Sequence, residues 1–161
     1  RLSGSAPALS IYTASLASRG FAPGSWCAVS LPSDPDDHPS AIEVLLDADA
    51  PIAIESLLAG NGPGAEIAIE MVLLAISDAI INWSLERADE LEHFEQSLED
   101  TETMAAVAAN EIFRVFNVPS PGEALAIREN DPARFASHLQ ARTFGRRSIL
   151  ELANRIEQAL P

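Results

Sequence analysis

The chain has 161 residues, of which 47% are hydrophobic and 21% are charged, so it can bury a core and is too apolar to be intrinsically disordered. Only 6% of the residues are aromatic, and Ala, Leu and Ile dominate the hydrophobic residues, which favours helices over a β-sandwich or barrel. The formal net charge of −14 makes direct binding to nucleic-acid phosphates unfavourable.

The N-terminal residues predict one short helix followed by a loop. Apolar residues recur at helical spacing over 6–18, and Gly20 would end that helix. Residues 21–39 are rich in Pro, Ser and Asp and predict a loop, with one short strand candidate at 26–29. We therefore expect residues 1–39 to form a loop-rich arm in front of the main domain.

A capping-box pattern starts the next predicted element. Ser40 and Glu43 have the spacing at which a hydroxyl and a carboxylate satisfy each other's backbone N–H groups at a helix start. This favours a helix over 41–48, although the apolar run 42–46 also fits a buried strand. A second short helix is predicted over 51–60, where a proline suits the first turn.

The longest predicted helix is central and apolar on most of its circumference. It begins near residue 65 and continues to Trp83, and it carries Glu70 and Asp78, which a lipid-facing span would not tolerate. An amphipathic continuation is predicted over 84–100, with a kink near Asn82. An all-round apolar helix needs cover, so we expect neighbouring helices or a second copy of the chain around it.

Four further helices are predicted in the C-terminal part of the chain. The first runs from residue 101 or 102 to 116. Ser120, with a proline and then Glu123 after it, predicts the start of the second. The third and the fourth are predicted over 132–140 and 148–160. The resulting fold class is all-α: a helical bundle over 40–161 around a long central apolar helix, forming a single domain with the N-terminal arm.

The charge is divided unevenly along the chain. Residues 1–120 contain 19 Asp or Glu and 4 Arg, whereas residues 121–161 contain 5 Asp or Glu and 6 Arg. Arg142, Arg146 and Arg147 form the densest cationic group, and guanidinium groups suit a phosphate, a carboxylate or an acidic partner segment. We expect these three residues either to contact an anion or partner or to pair within the fold.

One motif suggests a metal site. Glu90 and His93 form a Glu-x-x-His pattern, and Glu86 lies one helical turn earlier, so all three would share a helix face. Carboxylate-bridged di-iron bundles use such a motif twice, with carboxylates from two further helices. The second motif is missing here. These three residues are therefore expected to form a solvated helix face, with a divalent-metal site as the alternative. No other cofactor is expected.

The single cysteine, Cys27, excludes an internal disulfide and fits a reducing, cytoplasmic location. A thiol beside Trp26 is more typical of a small apolar core residue than of a nucleophile. Neither membrane insertion nor direct nucleic-acid binding is expected.

The sequence contains no complete catalytic constellation, so the leading hypothesis is a non-enzymatic helical protein–protein interaction module: an adaptor, chaperone or regulatory subunit. Its expected partner is another protein, and a homo-oligomer is the other candidate assembly. Two alternatives stay open: a helical-bundle metalloprotein that uses Glu86, Glu90 and His93, and an acidic mimic of nucleic acid that occupies a basic groove.

Overall fold

The computed structural model describes residues 10–49, 62–91 and 103–142, with the backbone alone for 62–69. Five α-helices and three β-strands lie in these ranges. The strands are β1 (Ser10–Ala14), β2 (Cys27–Ser30) and β3 (Glu43–Asp47). The helices are α1 (Gly62–Glu86), α2 (Ala88–Leu91), α3 (Met104–Phe116), α4 (Pro121–Asn130) and α5 (Pro132–Ala141).

The predicted all-α class is wrong, because the three strands form a sheet with the order β1-β3-β2. Strand β1 runs parallel to β3, and β2 runs antiparallel to it. The N-terminal helix predicted over 6–18 is replaced by β1 between Ser10 and Ala14. Ile-Tyr-Thr is a β-branched and aromatic run that fits a strand well once a neighbouring strand supplies the hydrogen bonds.

The helix preferred for 41–48 is also wrong, and the alternative of a strand is correct. Val44 and Leu46 are buried, and they alternate with Glu43, Leu45 and Asp47, which are not fully buried. A period of two is the pattern of a strand with one face towards a core. The hydrogen bonds of β3 to strands on both sides outweigh the local capping pattern. A short 3-10 helix, Pro39–Ala41, precedes β3.

The strand candidate at 26–29 is confirmed with a shift of one residue, as β2. Three predicted helices are confirmed: the helix that ends at residue 116 as α3, the helix that starts after Ser120 as α4, and the helix over 132–140 as α5. The helix predicted over 51–60 and the one predicted over 148–160 lie outside the described residues. Helix α1 continues without a break through Asn82, and the interruption comes at Arg87 between α1 and α2. The predicted kink near Asn82 stays a prediction.

The described residues form two compact units. The sheet unit contains 10–31, 40–49 and 62–76, and the helical unit contains 32–39, 77–91 and 103–142. The predicted division of the chain at residue 39 stays a prediction.

The sheet unit buries apolar residues from its strands, from the turn after β1 and from the first part of α1. They are Leu16, Ile42, Val44, Leu46, Val72, Leu73 and Ile76. The turn that follows β1 ends at Gly20, whose φ of 86° lies in the left-handed region that glycine adopts most easily. Gly20 was predicted as a helix stop, and it ends a single 3-10 turn, Ala17–Arg19.

The helical unit has its own core between α1, α3 and α4. Ile81, Leu85, Ile112, Val115, Phe116 and Ala124 are buried together. Helix α5 packs on this core through Phe135, whose ring stacks on that of Phe116 with the centroids 4.9 Å apart. This core packs together the helices that carry the polar groups described next.

Candidate functional site

A largely buried network of charged and polar side chains lies in the helical unit. The Ser77 hydroxyl donates to Glu111 Oε1 over 2.9 Å and accepts from Arg142 Nη1 over 2.9 Å. The same Arg142 nitrogen lies 2.6 Å from Asp78 Oδ1. Arg114 binds both oxygens of the Glu111 carboxylate. The network joins α1, α3 and the residue after α5.

The charges of this network balance, with two carboxylates against two guanidinium groups. The side chains of Glu111 and Arg114 are 5% and 7% exposed, so the pair is shielded from water. Ser77 already donates to Glu111, and Arg114 already occupies that carboxylate. The arrangement therefore fixes helices to each other, and its groups are engaged with one another. The Asp78 side chain is 45% exposed, and the other three charged side chains are shielded from water.

Arg142, predicted as an anion or partner contact, belongs to this network. Its side chain is 6% exposed and is bound to Asp78 and Ser77. This is the internal pairing that the sequence left as the alternative. Arg146 and Arg147 lie outside the described residues, so a contact through them stays a prediction.

The predicted metal ligands are not brought together in the described part of the chain. The Glu86 side chain is 75% exposed, and it forms an ion pair with Arg87 at 3.7 Å. Glu90 is exposed on α2, and His93 lies outside the described residues. Within 10–49, 62–91 and 103–142, no three His, Cys, Asp or Glu residues are grouped as a metal site would require.

Cys27 lies on β2 opposite the buried Leu46 of β3. Burial raises the pKa of its thiol to about 11, because a thiolate would lose its hydration. The thiol therefore stays protonated at neutral pH, and the thiolate is the form that attacks substrates. Cys27 is a partly buried residue whose protonated thiol is a poor nucleophile at this pH.

An acidic loop in the helical unit is held by its backbone. Trp83 Nε1 donates to Pro32 O over 2.7 Å, and the Asp37 carbonyl accepts from Met104 N over 2.9 Å at the start of α3. The carboxylates of Asp34 and Asp37 are on exposed residues. The loop serves as a cap for α3 and adds to the negative surface.

The sheet unit presents a surface that sequence reasoning did not identify. We call the outer face the side of the sheet opposite the buried Val44 and Leu46. An apolar row crosses this face, because Tyr12, Leu45 and Ala28 are aligned on the three strands. Tyr12 is 51% exposed, and Leu45 and Ala28 are half-buried.

Two carboxylates flank this row on the central strand. Glu43 and Asp47 lie two residues before and two residues after Leu45, so all three share the outer face. Asp47 Oδ1 accepts from Leu16 N over 3.1 Å, which holds that carboxylate in place, while Glu43 is exposed. The alternating pattern of 43–47 is the sequence signal that indicates such a face.

Comparison with known proteins identifies no relative: no protein-family profile, no curated protein and no solved structure matches the chain. Among the described helices, none combines the length and the apolar character needed to cross a membrane.

Proposed function

We propose that this protein acts by binding another protein through the outer face of its sheet unit, and that it is not itself a catalyst. The observation that carries the proposal is the half-exposed ring of Tyr12 in an apolar row between Glu43 and Asp47. An exposed aromatic side chain next to charged residues is typical of a protein-binding surface.

The chemistry of the other candidate groups supports binding over catalysis. The Cys27 thiol has a raised pKa, and the Ser77 hydroxyl and the Glu111 carboxylate are bound to each other and to arginines. A nucleophile needs an adjacent base that is able to take its proton. Glu111 is already paired with Arg114, which makes it a poor base for Ser77.

The net charge indicates what kind of partner fits. At −14 the protein attracts a basic surface and speeds its encounter with one, whereas it repels other acidic proteins. We therefore propose a basic protein partner, with a homo-oligomer as the less favoured assembly. We also propose a cytoplasmic location, which the single unpaired cysteine supports.

Site-specific crosslinking in cells of the source organism tests this proposal. A photoreactive phenylalanine analogue replaces Tyr12 in the tested variant and Phe113 in the control, because both are exposed aromatic residues and Phe113 lies on α3 in the helical unit. After irradiation, we expect the Tyr12 position to yield a crosslinked partner protein and the Phe113 position to yield none.

Three outcomes would contradict the proposal. If the Tyr12 position gives no product, or gives the same products as Phe113, the outer face is not the binding surface. A product made of two copies of this chain would assign the face to self-association and would exclude a different partner there.

A further inference from the structure

The outer edge of β1 has backbone groups that no described strand occupies. Ser10 N donates to Ile42 O, and Ala14 O accepts from Ala48 N. The even-numbered residues of β1 therefore direct their backbone N–H and C=O groups towards β3. Alternate residues of a strand direct their N–H and C=O groups to opposite sides. Ile11 and Thr13 therefore present theirs to the edge away from β3, where no strand of the described residues lies.

This edge lacks the features that usually prevent strand addition. Exposed edges in natural proteins are commonly protected by lysine, proline, a bulge or an inward-pointing charge. Strand β1 reads Ser-Ile-Tyr-Thr-Ala, and it pairs with β3 in one continuous register without a bulge. It is therefore well suited to accept an extended segment.

The charges next to this edge specify what kind of segment fits. On the outer face Tyr12 lies beside Leu45, and the small residues Ser10 and Ala14 lie beside Glu43 and Asp47. A strand added to β1 would be about 10 Å from β3, two strand spacings away. A long cationic side chain can extend over Ser10 or Ala14 towards the carboxylate behind it, and an apolar side chain between two such cations would contact Tyr12.

We propose that the outer edge of β1 binds an extended segment of the partner by strand addition, and that this segment has the pattern basic-x-apolar-x-basic. Glu43 and Asp47 are four residues apart, about 13 Å along a strand, which is the spacing of the two basic residues in the pattern. Backbone pairing supplies affinity and the alternating side chains supply specificity, as in other cases of strand addition. This inference rests on the proposed function, because it specifies the occupant of the same surface.

The chain's own sequence contains one pair of arginines at this spacing, Arg142 and Arg146, with Phe144 between them. The Arg142 guanidinium is bound to Asp78 and Ser77. Its engagement there favours a segment of a partner protein over the chain's own residues.

A synthetic peptide tests the proposal with the intact protein. The probe is the capped peptide Thr-Thr-Arg-Thr-Ile-Thr-Arg-Thr-Thr, and the control peptide has Glu in place of both Arg. Binding is followed by fluorescence anisotropy, and the backbone amides by hydrogen exchange in NMR spectra. We expect the Arg peptide to bind, the Glu peptide to bind at least tenfold more weakly, and the amides of Ile11 and Thr13 to gain protection.

Variants of the protein separate backbone pairing from charge. Thr13→Pro removes an N–H that does not pair with β3, so we expect the fold to persist and peptide binding to be lost. Glu43→Gln is expected to weaken binding several-fold, whereas Glu123→Gln, on an exposed carboxylate of α4, leaves it unchanged.

Three results would overturn the inference: no binding of the Arg peptide, equal binding by folded Thr13→Pro protein, or binding without protection of Ile11 and Thr13. Protection of those amides by self-association without peptide would assign the edge to a second copy and would also overturn it. A crosslink from Tyr12 to a partner remains a separate result, so the proposed function can stand where strand addition fails.

Discussion

The buried ion pair between Arg114 and Glu111 is the clearest case in which single residues determine stability. Each partner is nearly inaccessible to water, so each would be costly to bury alone. Ser77 adds a hydrogen bond to the same carboxylate over 2.9 Å. We therefore expect the loss of one partner to lower the free energy of unfolding by more than the net contribution of the intact pair.

We expect Arg114→Met to lower the free energy of unfolding by roughly 3 kcal/mol, because it leaves the Glu111 carboxylate buried without a counter-charge. The double variant Arg114→Met with Glu111→Leu should be more stable than the single variant, since no unpaired charge remains. Urea unfolding of the single and double variants provides the measurement. A double variant that is less stable than Arg114→Met would contradict this account.

Cys27 predicts a dependence of stability on alkaline pH. The folded thiol has a pKa of about 11 against an ordinary value of 9.0, so the folded state holds the proton more tightly than the unfolded state. The contribution of the protonated thiol to the free energy of unfolding is complete below pH 9. This contribution is lost as the pH rises towards 11. The loss is roughly 2 kcal/mol for a shift of this size.

Comparison of the wild type with Cys27→Ala isolates that contribution. We expect the difference in unfolding free energy between the two proteins to change between about pH 9 and pH 11 and to stay constant below pH 9. Denaturant titrations at several pH values measure it. A constant difference across the whole range would show that the thiol ionises in the folded state as it does in water.

At the scale of elements, the helices α3, α4 and α5 begin at side chains that each accept from one N–H of the first turn. Thr103 caps α3 by accepting from Ala106 N. Ser120 caps α4 by accepting from Glu123 N. Asp131 caps α5 by accepting from Arg134 N. Asp131 also ends α4, since its N–H donates to Ile127 O. The boundaries of α4 and α5 are therefore set by residues within one turn of each end.

We expect Ser120→Ala to destabilise the protein by about 1 kcal/mol, because the Glu123 N–H loses its acceptor at the start of α4. The matched control is Ser137→Ala within α5, where the hydroxyl donates to Arg134 O on an exposed surface and removal should change little. Thermal unfolding of both variants measures the difference. Equal effects would mean that the cap does not stabilise α4.

At the scale of the whole molecule, the excess of negative charge opposes folding. A net charge of −14 on 161 residues repels itself in the compact state, and salt screens this repulsion. The buried pair of Arg114 and Glu111 is shielded from the solvent, so salt should leave its contribution largely unchanged.

The melting temperature should therefore rise when NaCl is increased from about 10 mM to about 150 mM, over which the screening length falls from about 30 Å to about 8 Å. Calorimetry at the two salt concentrations provides the measurement. As a control, the destabilisation caused by Arg114→Met should be the same at both. A melting temperature that falls with added salt would indicate that attractive surface pairs outweigh the net repulsion.

The sequence by itself determined the helical unit from α3 onwards and the acidic character of the protein. The caps at Ser120 and Asp131 act on N–H groups three residues later, so the information is local and the helices that they start were predicted correctly. The charge is fixed by composition and needs no structure. The binding hypothesis likewise came from composition and from incomplete motifs.

Only the tertiary structure decided whether residues 10–14 and 43–47 are strands or helices. Their local patterns allow both, and the choice depends on hydrogen bonds between strands separated by about 30 residues. The outer face around Tyr12 and the edge of β1 exist only because of that pairing. The role of Arg142 was decided in the same way, since its contact with Ser77 joins residues 65 positions apart and a sequence pattern does not specify such distant partners.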